Sequence, residues 1–359
     1  MPVGARGARP LTAVEPSNPD ALARPLRRIT LASVPDQEHD HLVKYTFTNL
    51  EHARKELCAV LPPELVAQCN WSTLCLERAS FVEPRLAETY SDILYKVELG
   101  GYPSFIYVLF EHKSTPERLT ALQLLGYVVR LLEMHVRQRQ QQKESPLPLP
   151  AVVPLVFHHS ETGWRGSTDL LSLFGEVVRV VPELAEWQPN LRFVLDDISD
   201  LSDEALRARA LGSFPTLALW ALRDARSPGR LLQTMGQWAE ALGEVTLAPN
   251  GKEALIALFR YISLVTDQLT VDQLKEAVRE AAPQAEETIM TIAEQLRQEG
   301  RAEGRLEGRA SVLQELLEDK FGPLSQEVRV RLQSATDEQV SRWTKRILTA
   351  DSVQAVFGE

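Results

Sequence analysis

The chain has 359 residues, 44% of them apolar and 25% charged, which is enough for a sizeable core and typical of a folded globular protein. Its 39 basic and 49 acidic side chains leave a net charge of -10, which argues against tight, non-specific coating of DNA while leaving room for a local basic groove. No apolar run is long enough to span a membrane, and the arginine-containing N-terminus lacks the apolar core and cleavage site of a secretory signal, so a cytoplasmic location is expected.

Residues 1–36 hold several prolines and glycines and no sustained periodicity, which predicts a mostly disordered leader. One helix is expected from about Leu42 to Val60, stopping before Pro62-Pro63. The cysteines Cys58, Cys69 and Cys75 form no CxxC ligand set and are expected as buried small hydrophobic residues. A strand is expected at 74–82. A sharper pattern follows: Asp92–Val97 and the almost wholly apolar Phe105–Phe110 read as two strands joined through Gly100-Gly101, the second with both faces covered.

Pro116 and Glu117 open a helix expected to run to about His135, with Leu119, Leu122, Leu125, Val129 and Leu132 at helical spacing. Residues 137–149 read as a loop, 152–157 and 191–195 as further strands, and 202–280 as mainly helical. Strands alternating with helices predict an α/β fold centred on a mixed sheet.

From Glu286 to Lys320 the pattern is helical throughout, with Gly300, Gly304 and Gly308 at intervals of four among alternating charges. Two readings stand side by side: a solvated linker helix, or a self-association helix that makes the protein a homo-oligomer. Phe321-Gly322-Pro323 stops that helix, and residues 321–359 form a small helical C-terminal module.

One grouping has an obvious chemical use. Strand alternation puts Glu111 and Lys113 on one face and turns His112 away, and Asp92 opens the neighbouring strand. Two carboxylates converging on a lysine can hold a hard divalent cation, Mg2+ or Mn2+ in its place, while the lysine orients water and offsets charge on a phosphate. By spacing alone, ordinary solvated charges at strand ends are the more common reading.

The surrounding sequence resembles the Rpn family of recombination-promoting nucleases, within the PD-(D/E)xK superfamily. The resemblance rests on His39-Asp40 with Lys44, Leu61-Pro62, Ser80-Phe81-Val82, Asp92-Ile93-Leu94-Tyr95, Tyr107 through Ser114, Leu124-Leu125 with Tyr127, Val153 through His158, and Trp164. It covers residues 38 to about 300 and implies a restriction-endonuclease-like mixed sheet flanked by helices, with a helical C-terminal extension. It divides the chain into the 1–36 leader, a nuclease-like domain with helical extension at 37–285, the 286–320 helix and the 321–359 module.

By that resemblance the catalytic aspartate falls on Asp92 and the second acidic ligand on Glu111, both holding the metal. Lys113 stands where the family often has glutamine and restores the superfamily's lysine. Gln123 stands in place of a usual arginine, and Phe157-His158-His159 in place of tyrosine-histidine-glycine. Asp40 is expected either to cap and position or to take part in catalysis. Gln123 and Tyr127 share a helix face and either meet the cleft or pack. His158 and His159 are expected in loop or helix-entry roles. The expected activity is metal-dependent endonucleolytic hydrolysis of DNA, promoting recombination. The alternatives are a catalytically inactive nuclease-fold module that binds nucleic acid or protein, and an accessory protein assembling through its tail.

Overall fold

The computed structural model of the protein describes residues 34–77, 93–111, 118–160, 162–209, 211–266 and 271–358. The expected leader falls almost entirely outside the described residues, as do Asp92, Lys113, Pro116 and Glu117.

Five strands form one mixed sheet in sequence order: β1 (Cys69–Glu77), β2 (Ile93–Leu99), β3 (Tyr102–Glu111), β4 (Ala151–His158) and β5 (Val194–Asp197). β1, β2 and β3 run antiparallel, and β3, β4 and β5 run parallel. The β2–β3 hairpin closes in the shortest way. Leu99 pairs with Tyr102, and Gly100 and Gly101 both adopt positive φ (59° and 82°), the requirement of the mirror-image two-residue turn that matches strand twist. In β1 the register slips between Asn70 and Cys75, and the Thr73 hydroxyl accepts the Glu98 N–H at 2.9 Å in place of a ladder bond.

Helices cover both faces. α1 (Val34–Phe47) and α2 (Leu50–Val60) lie on one face, where Leu42, Val43, Phe47, Ala53 and Leu57 meet Ile93, Tyr95, Ile106, Leu155 and Phe157. A short helix α3 (Pro63–Gln68) leads into β1. α4 (Thr120–Gln141) is the crossover from β3 to β4 and packs Ala121, Leu124, Tyr127 and Leu131 against Leu94, Phe105, Tyr107 and Val156 on the opposite face. Adjacent residues of β2 and β3 therefore feed different cores, as the two-residue period of a strand requires.

The expected single helix over 42–60 is two helices. The chain breaks at Thr48-Asn49, and the Asn49 side chain accepts the N–H groups of Glu51 and His52 as the cap of α2. The expected loop from 137 starts later, because α4 continues to Gln141. β1 begins at Cys69, earlier than expected, and residues 78–82 lie outside the described residues. The cysteine expectation is corrected as well: Cys58 and Cys75 are exposed and Cys69 is half-buried. β1 is an edge strand whose Leu74 turns inward, so its chain neighbour Cys75 faces out.

After β5 the chain is helical: α5 (Glu176–Val180) precedes that strand, and α6 (Asp203–Ala208), α7 (Ser213–Asp224), α8 (Pro228–Thr234), α9 (Ala239–Leu247), α10 (Gly251–Val265) and α11 (Val271–Ala281) follow it. Their core, including Trp220, Trp238, Leu258 and Ile262, is continuous with the α1 face of the sheet. The guanidinium of Arg223, with no exposed side-chain surface, sits between Asp224, Asp203 and the Leu201 carbonyl. α12 (Glu286–Phe321) anchors Ile289 and Ile292 in this core and ends at Gly322, whose φ of 83° is the left-handed stop that glycine permits. Its distal Leu313 and Leu317 join a separate cluster with Leu332, Val340, Trp343, Ile347 and Phe357 from α13 (Gln326–Gln333), α14 (Asp337–Arg346) and α15 (Val353–Phe357). Among the described residues no helix is long and apolar enough to cross a membrane.

Candidate functional site

The carboxyl ends of the three parallel strands come level. Glu111 pairs in register with His158, and His158 with Asp197. In open α/β sheets the space beyond the strands' carboxyl ends is where ligands bind. Glu111 is the last residue of β3, and Asp92 immediately precedes Ile93, which opens β2 opposite Val108. Of the three residues assigned to catalysis, the described residues therefore place Glu111 on the strand-end row, while Asp92 and Lys113 lie outside them.

The far end of this row is tightly tied. Asp197 accepts hydrogen bonds from the Trp164 backbone N–H at 2.6 Å, the Ser199 N–H at 3.0 Å and the Ser199 hydroxyl at 2.5 Å. Burial alone would raise its pKa. The Ser199 and Trp164 hydrogen bonds outweigh burial, and with the nearby His158 they hold the carboxyl below its ordinary range. His158 is buried, with Nε2 3.0 Å from the Ser160 hydroxyl and its ring edge-on to Trp164 at 5.2 Å. The Ser160 N–H donates to the Ser199 hydroxyl at 2.9 Å. The loops after β4 and β5 are thus locked together. Sequence reasoning missed Asp197 and Ser199; two aspartates just past an expected strand, with a serine two residues on, were the available signal.

On the α1 face, His39 has no exposed surface, and its ring lies 4.6 Å from that of the buried His159. Arg226 Nη2 is 3.0 Å from His39 Nε2, and the Tyr261 hydroxyl is 2.8 Å from Nδ1. A guanidinium can only donate, so Nε2 accepts and the ring proton sits on Nδ1, donated to Tyr261. His39 is held neutral in one tautomer, and α1, β4, α10 and the chain after α7 meet there. Its neighbour Asp40 is half-buried. His39 of the sequence resemblance therefore reaches the same end of β4 as the strand-end row. Sequence reasoning had no signal for Tyr261 or Arg226, which lie some two hundred residues away.

Gln123 and Tyr127 sit on the other face. Tyr127 is buried, its ring 5.3 Å from that of Tyr107. Gln123 is half-buried one turn earlier. His158 and His159 end a strand and anchor its neighbours. Among the described residues no group of three or more His, Cys, Asp or Glu is placed to hold a metal ion.

A second buried polar cluster lies beneath the row. Arg209 reaches Asp196 at 2.7 and 3.1 Å and Glu56 at 2.5 Å. Burial pushes the Glu56 carboxyl well above its usual range. The negative charge of Asp196 adds to that, and Arg209 opposes it. The cluster ties α2 to β5 and to the turn before α7.

Comparison with known proteins places the chain among named relatives. Residues 37–252 match the family described as "Putative transposase, YhgA-like". The chain is 31% identical to the recombination-promoting nuclease RpnA of Escherichia coli K12 over 263 residues, 73% of this chain and 84% of that protein. It is 30% identical to the inactive recombination-promoting nuclease-like protein RpnE of the same organism over 75% of this chain and 84% of that protein. With the recombination-promoting nuclease RpnD of Escherichia coli O157:H7 the identity is 28%, over 72% of this chain and 93% of that protein. No solved structure matches. With most of its length aligned to these relatives, and a five-stranded mixed sheet flanked by helices at its centre, the chain belongs to the YhgA-like Rpn family of the PD-(D/E)xK nuclease superfamily.

Proposed function

We propose that the protein is a cytoplasmic, metal-dependent DNA endonuclease that hydrolyses phosphodiester bonds and thereby promotes recombination. The observation that carries this reading is Glu111 at the carboxyl end of β3, level with His158 and Asp197, in a chain that aligns with named nucleases over most of its length. Asp92 and Glu111 would hold Mg2+, or Mn2+ in its place. Two carboxylates are hard oxygen donors, and Mg2+ is commonly held by one or two of them together with substrate phosphate oxygens. When bound, the ion supplies Lewis-acid polarisation of the scissile phosphate and activation of water.

The chain's own residues do the rest. The Lys113 ammonium orients the attacking water and offsets negative charge developing on the phosphate. Asp40, beside the fixed His39, is a positioning residue at the end of β4. Gln123 supports the site from the α4 face. The protein works as a homo-oligomer, which gives each strand of a duplex its own site.

The test is relaxation and linearisation of plasmid DNA with Mg2+, by the wild type and by Asp92→Ala. The variant is expected to lose activity on the order of 100-fold or more, and EDTA to abolish cutting by the wild type. Equal cutting by both proteins, or cutting that survives EDTA, overturns the assignment.

One finding favours a second reading. The inactive relative RpnE matches at nearly the same identity and coverage as RpnA, so a nuclease-fold module that binds DNA or protein without cutting is the alternative. DNA binding without metal-dependent cleavage, unchanged in Asp92→Ala, selects it.

A further inference from the structure

The row that ends β3, β4 and β5 carries negative charge. Hydrogen bonds hold Asp197 ionised, and the exposed Asp200 lies three residues on. The whole chain adds a net charge of -10. A DNA backbone brought to this row is repelled unless cations are fixed beside it.

Arg165 is such a cation. It is exposed, and it directly follows Trp164, whose backbone N–H donates to Asp197 at 2.6 Å. Its Nε donates to the Thr162 carbonyl at 3.4 Å, and its two terminal nitrogens meet no described acceptor. The next two arginines along the chain are placed differently: Arg179 is paired with Glu176, and Arg192 with Asp169.

The chain on either side of Arg165 is fixed. Gly163 has a φ of 68°, and a methyl group built on it would stand 3.2 Å from the Asp200 carboxylate and 3.3 Å from that of Asp197. The Trp164 Nε1 donates to the Gly166 carbonyl at 2.8 Å, and a methyl group on Gly166 would stand 3.2 Å from the same indole. That indole lies edge-on to His158 at 5.2 Å and to Phe193 at 5.8 Å. These contacts use the side chain of Trp164 and leave the guanidinium of the next residue to solvent. A donor on a fixed loop loses less freedom on binding than one on a mobile loop. The planar guanidinium also matches two phosphate oxygens at once.

Position along the row sets which phosphate it meets. Adjacent strands lie about 4.8 Å apart, so Asp197, two strands from Glu111 in register, stands about 10 Å from it. Arg165 lies just beyond Asp197. Phosphates of one DNA strand follow at about 3.4 Å of helix axis, so this span corresponds to a few nucleotides.

We infer that Arg165 binds a backbone phosphate of the DNA a few nucleotides from the scissile one and holds the duplex over the strand-end row. The inference rests on the DNA substrate proposed above and deepens it by naming a contact outside the metal-binding carboxylates. A phosphate contact positions the duplex and carries no sequence information.

Fluorescence anisotropy of a labelled duplex with the full chain tests it, with Ca2+ in place of Mg2+ so that binding is read apart from cutting. Arg165→Ala is expected to weaken binding on the order of 10-fold, and equally on two duplexes of unrelated sequence. The slope of log affinity against log salt is expected to flatten by about 1. Arg165→Lys keeps the charge and is expected to restore the slope. Arg179→Ala, which removes a paired arginine, is expected to bind as the wild type does. The thermal midpoint of Arg165→Ala is expected to stay at the wild-type value, because the side chain is exposed. In Mg2+, Arg165→Ala is expected to raise KM for cutting with kcat unchanged. A wild type that binds no duplex overturns both this contact and the endonuclease reading. Wild-type binding with the expected Arg165→Ala loss but no cutting in Mg2+ supports the contact and overturns the endonuclease reading. Wild-type affinity and slope in Arg165→Ala, or an equal loss in Arg179→Ala, overturn the contact alone. A loss on one duplex sequence and not the other overturns its assignment to phosphate.

Discussion

At the scale of single residues, the most exacting positions are the buried charges. Arg209 holds two carboxylates, Glu56 and Asp196, in a nearly dry site. Removing the arginine leaves acids without compensation, so Arg209→Met is expected to lower stability by about 3–5 kcal/mol, measured by urea unfolding. Glu56 gives the opposite result. Its folded pKa lies well above the unfolded value, because burial and Asp196 outweigh Arg209. Between those two values the folded state binds more protons, so this group makes stability fall as pH rises. Glu56→Gln removes the ionisation. Its thermal midpoint is expected to exceed that of the wild type at pH 8, with the gap closing as pH approaches the unfolded glutamate range near about 4.3. A wild-type midpoint higher at pH 8 would contradict the assignment. Asp197 has the reverse sign: its depressed folded value contributes stability above the unfolded aspartate range, lost as pH falls through the folded value. The penalty of Asp197→Asn is therefore expected to be largest near neutrality and to shrink in acid.

At the scale of elements, caps and turns decide where the chain bends. Asn49→Ala removes the acceptor for two N–H groups at the start of α2 and is expected to cost about 1 kcal/mol, read from the same unfolding curves. That asparagine also marks the limit of sequence reading. The hydrophobic period runs through Thr48-Asn49 unbroken, so α1 and α2 read as one helix, although an asparagine cap was in plain view. The β2–β3 hairpin was legible because Gly100-Gly101 separates two apolar runs and the turn requires positive φ at both positions. β5 is four residues long and, among the described residues, pairs with β4 alone, so its boundaries had little pattern to announce them. α4 outran its expected end because Gln and Arg at 137–141 are good helix formers, and composition had suggested a loop there.

At the scale of the whole molecule, strand order and the meeting of distant segments were not legible from periodicity. Nothing in the pattern links His39 to Tyr261, or Glu56 to Arg209; those contacts follow from α1 and α2 lying between the sheet and the later helices. The mixed-sheet architecture was readable through the family's motifs, and the sheet sets Glu111 at the carboxyl end of its central strand. The tail's separate apolar cluster follows from Leu313 and Leu317 continuing the helical period of α12 past its charged middle.

The central claim is that Glu111 carries the metal-dependent cleavage of DNA. The most direct measurement is made on Glu111→Gln, with Mn2+ binding by calorimetry and plasmid cutting recorded on the same folded preparation. The account predicts that both fall by on the order of 100-fold or more while the thermal midpoint stays close to that of the wild type. Cleavage and Mn2+ binding by Glu111→Gln equal to those of the wild type would contradict it.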